Sequence, residues 1–238
     1  MVAKIASIQV GSIRTEGTSS ASNSMDRRWT TAFYKFPIPG PVKLYALGVE
    51  GDQVADKRFH GGPDKAVLGY GLENYAKWSA ELNVADFETD GQLRFDAESF
   101  GGEQFGPGAF AENLTIAGQD ESSVCLGDRY QIGDDDELSA VVEVSQPRQP
   151  CWKISRRWKM KTLTKLVAAT GRTGWYFRVI REGQVNIGDE VRLLDRPHPN
   201  WTVARANDIL LGRELDRYAV AELMAMEVLS KEWKESLS

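Results

Sequence analysis

Histidine and cysteine are scarce in this chain, with two of each among 238 residues. Cys125 and Cys151 alone exclude a disulfide framework, a cysteine-rich zinc site and a four-cysteine iron–sulfur cluster. No apolar run approaches the length of a bilayer span. Met1-Val2-Ala3-Lys4-Ile5 leads directly into a strand-like pattern, so neither signal peptide nor anchor is expected, and a cytoplasmic location is. An excess of positive charge is also missing. The formal net charge of −5 argues against a nonspecific nucleic-acid binder and leaves room only for a local basic pocket. The length suffices for one large domain, or for one domain with a small appendage.

Against that background the stretch EVSQPRQPCWKISRR, Glu143 to Arg157, stands out. It sets Cys151 between Pro150 and Trp152, with Arg148, Lys153, Arg156 and Arg157 close in sequence. A thiolate is the reactive and metal-binding form of cysteine, and neighbouring cations favour it. Pro147 and Pro150 stiffen the backbone, and Pro150 restricts Gln149 to extended geometry. The plainer alternative is a strand-end turn whose cysteine merely packs. Cys125, in SSVCLGD, lacks such neighbours and reads as structural.

Alternation over Lys4 to Val10 predicts a half-buried strand. Gly11 to Thr30 reads as a mobile polar loop. Pro37, Pro39 and Pro41 predict an extended edge segment. Further strands are expected at Val42 to Ala46, Ala66 to Tyr70, Asn113 to Ile116, Tyr130 to Ile132, Ala140 to Val144, Trp175 to Ile180 and Glu190 to Leu194. Many short strands divided by Gly and Asp favour a mainly β protein, a barrel or sandwich. Gly51-Asp52, Gly127-Asp128 and Gly188-Asp189 read as turns in which Asp bonds the backbone. Leu72, Tyr75, Ser79 and Leu82 suit one short helix. Met160, Leu163, Leu166 and Val167 suit another, stopped by Gly171. After Asn200, Thr202 and Ser230 are expected N-caps, and Leu215, Ala219, Leu223 and Met226 keep helical spacing. The expected organisation is a barrel over 1–196 with a polar insertion at 11–30, a joint at Pro197-His198-Pro199, and a helical appendage over 200–238.

Three other clusters could carry chemistry. In DKRFHGGPDKAV, His60 precedes Gly61-Gly62-Pro63, whose sharp turn exposes amides able to cradle an anion. Arg58 and Lys65 add charge, and Asp64 could orient an imidazole; the spacing is not that of a Walker loop. Glu112-Asn113 pairs a carboxylate with an amide, able to accept from and donate to a heterocycle edge. In Gly174-Trp175-Tyr176-Phe177-Arg178, one face reads as core and Arg178 as a phosphate contact.

Taken in order, GVEGDQVADKRFHGGPDKAV, AENLTI, VCLGDRYQIG, VEVSQPRQPCWK and TGRTGWYFRV resemble the signature of the MOSC domain, named after the molybdenum-cofactor sulfurase C-terminal region. The tail resembles the three-helix extension of the YiiM-like branch. The resemblance implies a β-barrel of the pyruvate-kinase type holding a molybdopterin cofactor, with Cys151 as a thiolate ligand of molybdenum. It implies a catalytic set of Cys151, His60 and Asp64, and cofactor contacts from Arg58, Lys65, Glu112, Asn113, Gln146, Arg148, Lys153 and Arg178. The branch is associated with reducing N-hydroxylated bases such as N-hydroxylaminopurine, a detoxification. Electrons would then come from a separate flavin- or iron–sulfur-containing reductase. Neither pyridoxal phosphate, nucleic acid nor membrane is expected, and a homodimer is left open. The family usually has Gly where this chain has Ala111. A positive φ there would strain alanine by roughly 1–2 kcal/mol, so a shifted turn is expected. Two other functions stay open on the residues: a sulfur-carrier or cofactor-delivery module with a persulfide on Cys151, and a cysteine hydrolase using Cys151 with His60.

Overall fold

Lys4–Val10 forms the first strand, β1, pairing along Leu114–Ala117; a register shift between Ile5 and Ser7 lets Ile5 and Ile8, three residues apart, both enter the core. The computed structural model describes residues 2–82, 105–134 and 137–237. After β1 come β2 (Arg14–Glu16), β3 (Trp29–Thr31), β4 (Phe36–Pro37), β5 (Val42–Tyr45) and β6 (Gly48–Val49). Next are β7 (Val67–Gly71), β8 (Leu114–Ala117), β9 (Arg129–Ile132) and β10 (Ala140–Pro147). The last three are β11 (Trp175–Arg181), β12 (Gly183–Val185) and β13 (Val191–Asp195). The helices are α1 (Glu73–Glu81), α2 (Trp152–Arg157), α3 (Leu163–Thr170), α4 (Val203–Leu210), α5 (Arg217–Ala225) and α6 (Lys231–Glu235).

Eight strands join in the order β13-β9-β10-β11-β7-β8-β1-β4, and β12-β5-β6 forms a smaller sheet. Among the described residues, only β7 and β8 run parallel within the larger sheet. The sheet curls until its ends meet. Val191 N–H donates to the Ala3 carbonyl at 2.8 Å, Ile5 N–H donates to that of Asp189 at 2.9 Å, and Lys4 bridges Glu190. The mainly β barrel read from the short strands is therefore what forms. Inside it, Gly69 of β7 leaves room for the aromatics of β11: a Cβ there would come within 2.8 Å of the Phe177 ring.

The C-terminal helices share this core. Trp201, Val203, Leu223 and Trp233 pack in the same cluster as Val142, Trp175 and Phe177. Thr202 and Ser230 cap α4 and α6 as expected, each accepting a backbone N–H, and Asp216 caps α5. A second cluster of Tyr70, Tyr75, Trp78, Phe105, Phe110 and Trp158 binds α1, α2 and α3 to the barrel.

Two expectations are corrected. Gly11 to Thr30 is not a plain polar loop: β2 and β3 pair as a hairpin, and Trp29 is buried against Trp152 of α2. Polar composition concealed the single aromatic that anchors it. The turn before Glu112 has not shifted either. Ala111 takes φ 62°, in the region that favours glycine. It is held there because Ala111 N–H donates to Gly108 at 2.9 Å while Gly108 and Phe110 N–H both donate to the Glu112 carboxylate.

Ala111→Gly is accordingly expected to raise stability by roughly 0.5–1 kcal/mol, seen as a higher urea midpoint at unchanged slope. Trp233→Ala is expected to lower the stability of the whole chain by about 3–5 kcal/mol in one transition. A two-step melt would instead mark the tail as a separately folding unit.

Candidate functional site

Three segments build one cleft. The first leaves β10 at Pro147, where Arg148 N–H donates to the Gly174 carbonyl at 3.1 Å. Cys151 follows in extended conformation at the N-cap of α2. Its carbonyl accepts from Ile154 N–H and from Thr164 Oγ1, each at 3.1 Å, and Ile154 is buried among the aromatics. The backbone at Cys151 is thus fixed while the thiol stays partly exposed. The helix directly after the cysteine was not foreseen, because Trp152 to Arg157 is too short for periodicity to register.

The second segment is the His-Gly-Gly turn. Gly61 and Gly62 adopt φ of 77° and 82°, and Pro63–Lys65 makes a 3₁₀ turn. Ser145 Oγ of β10 donates to the Asp64 carbonyl at 2.5 Å, tying this turn to the strand that carries the cysteine loop. The third segment is the chain from β3 to the turn after β6, which contributes Phe33, Lys35, Val49 and Asp52.

The resulting cleft has about 730 Å³ of space free of protein atoms, part of it open to solvent. It brings together six of the residues predicted from sequence: His60, Lys65, Asn113, Arg148, Cys151 and Lys153. Their charges are not balanced evenly. Lys65 Nζ donates to Glu232 of α6 at 2.8 Å and to the Phe59 carbonyl at 2.9 Å. Arg148 is buried, lies 5.7 Å from the Phe33 ring centre, and its Nη1 has no hydrogen-bond partner. A buried guanidinium nitrogen without an acceptor is costly and marks a place for an anion. Burial first, then Lys153, Arg148 and Lys65, push the His60 imidazole down to about 4, so it is neutral at pH 7. Burial raises the Tyr176 phenol above its ordinary value, so it keeps its proton.

Five predicted residues stand elsewhere. Asp64 turns its carboxylate to Arg178, at 2.5 Å, and Arg178 also reaches Glu143 at 2.6 Å, so neither Asp64 nor Arg178 lines the cleft. Arg58 is exposed and pairs with Asp56 at 3.2 Å. Glu112 is buried behind the wall, accepting from Tyr75, Thr115 and two backbone amides. Gln146 is buried within β10, its Oε1 without a partner. Asn113 lines the cleft, but its side chain is already engaged by Leu68 N–H, the Gln9 carbonyl and Asp52.

Two cleft residues escaped the sequence reading. Lys35 Nζ lies 2.5 Å from Asp52 Oδ2, and both side chains are largely buried. Asp52 also accepts from Asn113 Nδ2 at 2.9 Å and from Gly11 N–H at 2.8 Å. Gly51-Asp52 read as a local turn, but the Asp52 carboxylate bonds Gly11 N–H, Asn113 and Lys35 instead. Lys35 belongs to no motif, and nothing in its neighbours signals it. Among the described residues, no group of three or more His, Cys, Asp or Glu side chains is arranged to hold a metal ion. A metal beside Cys151 would have to bring other ligands with it.

The fold and cleft define a β-barrel protein with one partly exposed thiol in a cationic, partly desolvated site. Comparison with known proteins agrees on the fold. The MOSC domain family model matches residues 56–192, and that of the YiiM-like 3-alpha helix domain matches 201–238. YflK of Bacillus subtilis (strain 168) is 37% identical over 206 residues, covering 87% of this chain and 82% of that protein. A protein named "Reductase" from Gibberella moniliformis is 35% identical over 193 residues, 81% of this chain but 31% of that longer protein. The crystal structure of YiiM from Geobacillus stearothermophilus superposes with a TM-score of 0.72 at 29% identity, covering 99% of this chain and 100% of that one. The chain belongs to the MOSC domain family, and to its YiiM-like members with C-terminal helices. No helix among the described residues is long and apolar enough to cross a membrane.

The two histidines make one electrostatic prediction easy to read. In an NMR pH titration the His60 ring is expected to protonate with a midpoint near 4, and Lys153→Met to raise that midpoint. Because the unfolded chain takes this proton first, the His60 contribution to stability is lost as pH falls from about 6.5 toward 4. A midpoint at or above the ordinary imidazole value would show that the cleft is neither desolvated nor cationic.

Proposed function

We propose that the chain is a molybdenum-cofactor-binding oxidoreductase that reduces N-hydroxylated substrates such as N-hydroxylaminopurine, drawing electrons from a separate flavin- or iron–sulfur-containing reductase in the cytoplasm. Membership of the MOSC family supports the cofactor, and a relative named as a reductase supports the reaction class. The observation that carries the reading is that the Cys151 thiol and Arg148, whose buried Nη1 has no hydrogen-bond partner, share one cleft. An anionic, phosphate-bearing cofactor with its own sulfur ligands fits that donor set: soft sulfur suits molybdenum, and the free Nη1 of Arg148 suits a phosphate or pterin oxygen.

On this reading Cys151 is the protein's ligand to the metal. Arg148, Lys153 and Lys65 hold the anionic part of the cofactor. When bound, the cofactor supplies the two-electron chemistry. His60, neutral at pH 7, offers one ring N–H as donor and the other nitrogen as acceptor, and orients a substrate without adding charge. Leu47, Val49 and Val54 line the cleft and limit the access of water to the reacting bond. The tail helix α6 holds Lys65 through Glu232 and the cysteine loop through a Gln149 to Ser236 hydrogen bond of 2.8 Å.

Metal analysis of chain purified from cofactor-replete cells is the direct test. Molybdenum is expected near one per chain in the wild type. Cys151→Ser is expected to lose most of it, and Arg148→Met to weaken its retention at least tenfold, with folding preserved by circular dichroism. Wild type with bound metal is expected to reduce N-hydroxylaminopurine with reduced viologen as donor. Absence of metal together with a persulfide mass increment on Cys151 would replace this reading with a sulfur carrier.

A further inference from the structure

We propose that Lys35, seated on Asp52 in the wall of the cleft, delivers the proton taken up by the departing oxygen when an N-hydroxylated substrate is reduced. This rests on the proposed function. Reduction of R–NH–OH breaks the N–O bond and consumes two electrons, from a reduced flavin or iron–sulfur donor, and two protons. The products are R–NH₂ and water. One proton goes to the oxygen that leaves; the other, drawn from solvent, completes the amine. The stoichiometry therefore demands an acid in a site that is partly closed to water.

Several other cleft groups are poorly suited, and Lys153, which also lines the cleft, is the rival that the experiment below separates from Lys35. His60 carries no second proton at pH 7, since its imidazolium is destabilised by burial and three nearby cations. A guanidinium does not release its proton, which removes Arg148. Tyr176 holds its phenolic proton more tightly than an ordinary tyrosine. Lys65, like Lys35, is paired with a carboxylate, but its ammonium is held by a second acceptor as well, the Phe59 carbonyl. Lys35 differs in its setting. It lines the same cleft as Cys151, and Asp52 fixes its ammonium at 2.5 Å. Asp52 is itself immobilised by Asn113 and Gly11, so the pair has one geometry.

The charged groups facing Lys35 are Asp52 from the turn after β6, Glu112 from the segment before β8, and Arg148 from the loop after β10. Burial is the largest influence and weakens its hold on the proton; the two carboxylates oppose that, and Arg148 adds to it. After donation the neutral amine recovers a proton from solvent at the open side of the cleft, with Asp52 favouring the ammonium.

The test is steady-state kinetics with reduced viologen and N-hydroxylaminopurine across pH, on wild type, Lys35→Arg, Lys35→Met and Lys153→Met, with molybdenum content measured for each. Lys35→Arg keeps a cation on Asp52 but cannot release a proton. The wild-type kcat is expected to fall on the alkaline side with a midpoint below the 10.5 of an ordinary lysine. Both Lys35 variants should retain metal, keep KM within a few-fold, and lose kcat by about 10²-fold or more. An NMR titration of ¹³C-labelled lysines in the wild type, independent of turnover, should assign the same midpoint to Lys35. Undiminished kcat in Lys35→Arg, loss of the alkaline limb in Lys153→Met instead, or a Lys35 midpoint at or above 10.5 would overturn the assignment while leaving the reductase reading intact. Wild type that binds metal but never reduces the N–O bond would overturn both.

Discussion

Concentrating positive charge in one partly buried cleft of a net acidic chain is the constraint on which the rest of this structure depends. Lys35, Lys65, Arg148 and Lys153 converge beside one thiol. Each loses hydration, and each repels the others. The fold answers two of them with carboxylates from distant parts of the chain, Asp52 for Lys35 and Glu232 for Lys65. Arg148 keeps a buried nitrogen without an acceptor. That uneven compensation leaves a fixed positive potential in the cleft.

Holding such an arrangement requires rigid supports on every side. The barrel closes between β1 and β13, so the strands that present the cleft do not splay. Behind Cys151, Ile154 and Trp158 sink α2 into an aromatic cluster. In front, the β2–β3 hairpin is clamped onto the same helix: Arg156 bonds the Arg27 carbonyl, Lys159 pairs with Asp26, and the Arg156 guanidinium lies over both Trp29 and Trp152. The tail adds the last wall through α6. A segment read as an appendage, and another read as a loop, therefore both bear on the position of one cysteine.

Ala111 shows how far the network around the cleft constrains the backbone. Glu112 draws two amides of the preceding turn onto its carboxylate, and that demand outweighs the preference of alanine for negative φ. The same carboxylate satisfies Tyr75 and Thr115, joining α1 and β8 behind the wall. A residue that looked able to meet a ligand instead fixes the framework on which Asn113 and Asp52 are mounted.

By itself the sequence determined the strands of the larger sheet, because alternation and Gly-Asp turns are local; the caps at Thr202 and Ser230, because a hydroxyl reaches only its own first turn; and the cysteine loop, because proline and charge crowd one short stretch. His60, Lys65, Arg148 and Lys153 were legible for the same reason, each lying in a dense motif. Only the tertiary structure decided that Asp64 and Arg178 satisfy each other rather than a ligand, that Trp29 turns a polar stretch into a hairpin, and that Lys35 meets Asp52 beside the thiol. Those outcomes depend on contacts between residues far apart in the chain. Composition and spacing carry no record of which distant charge arrives first.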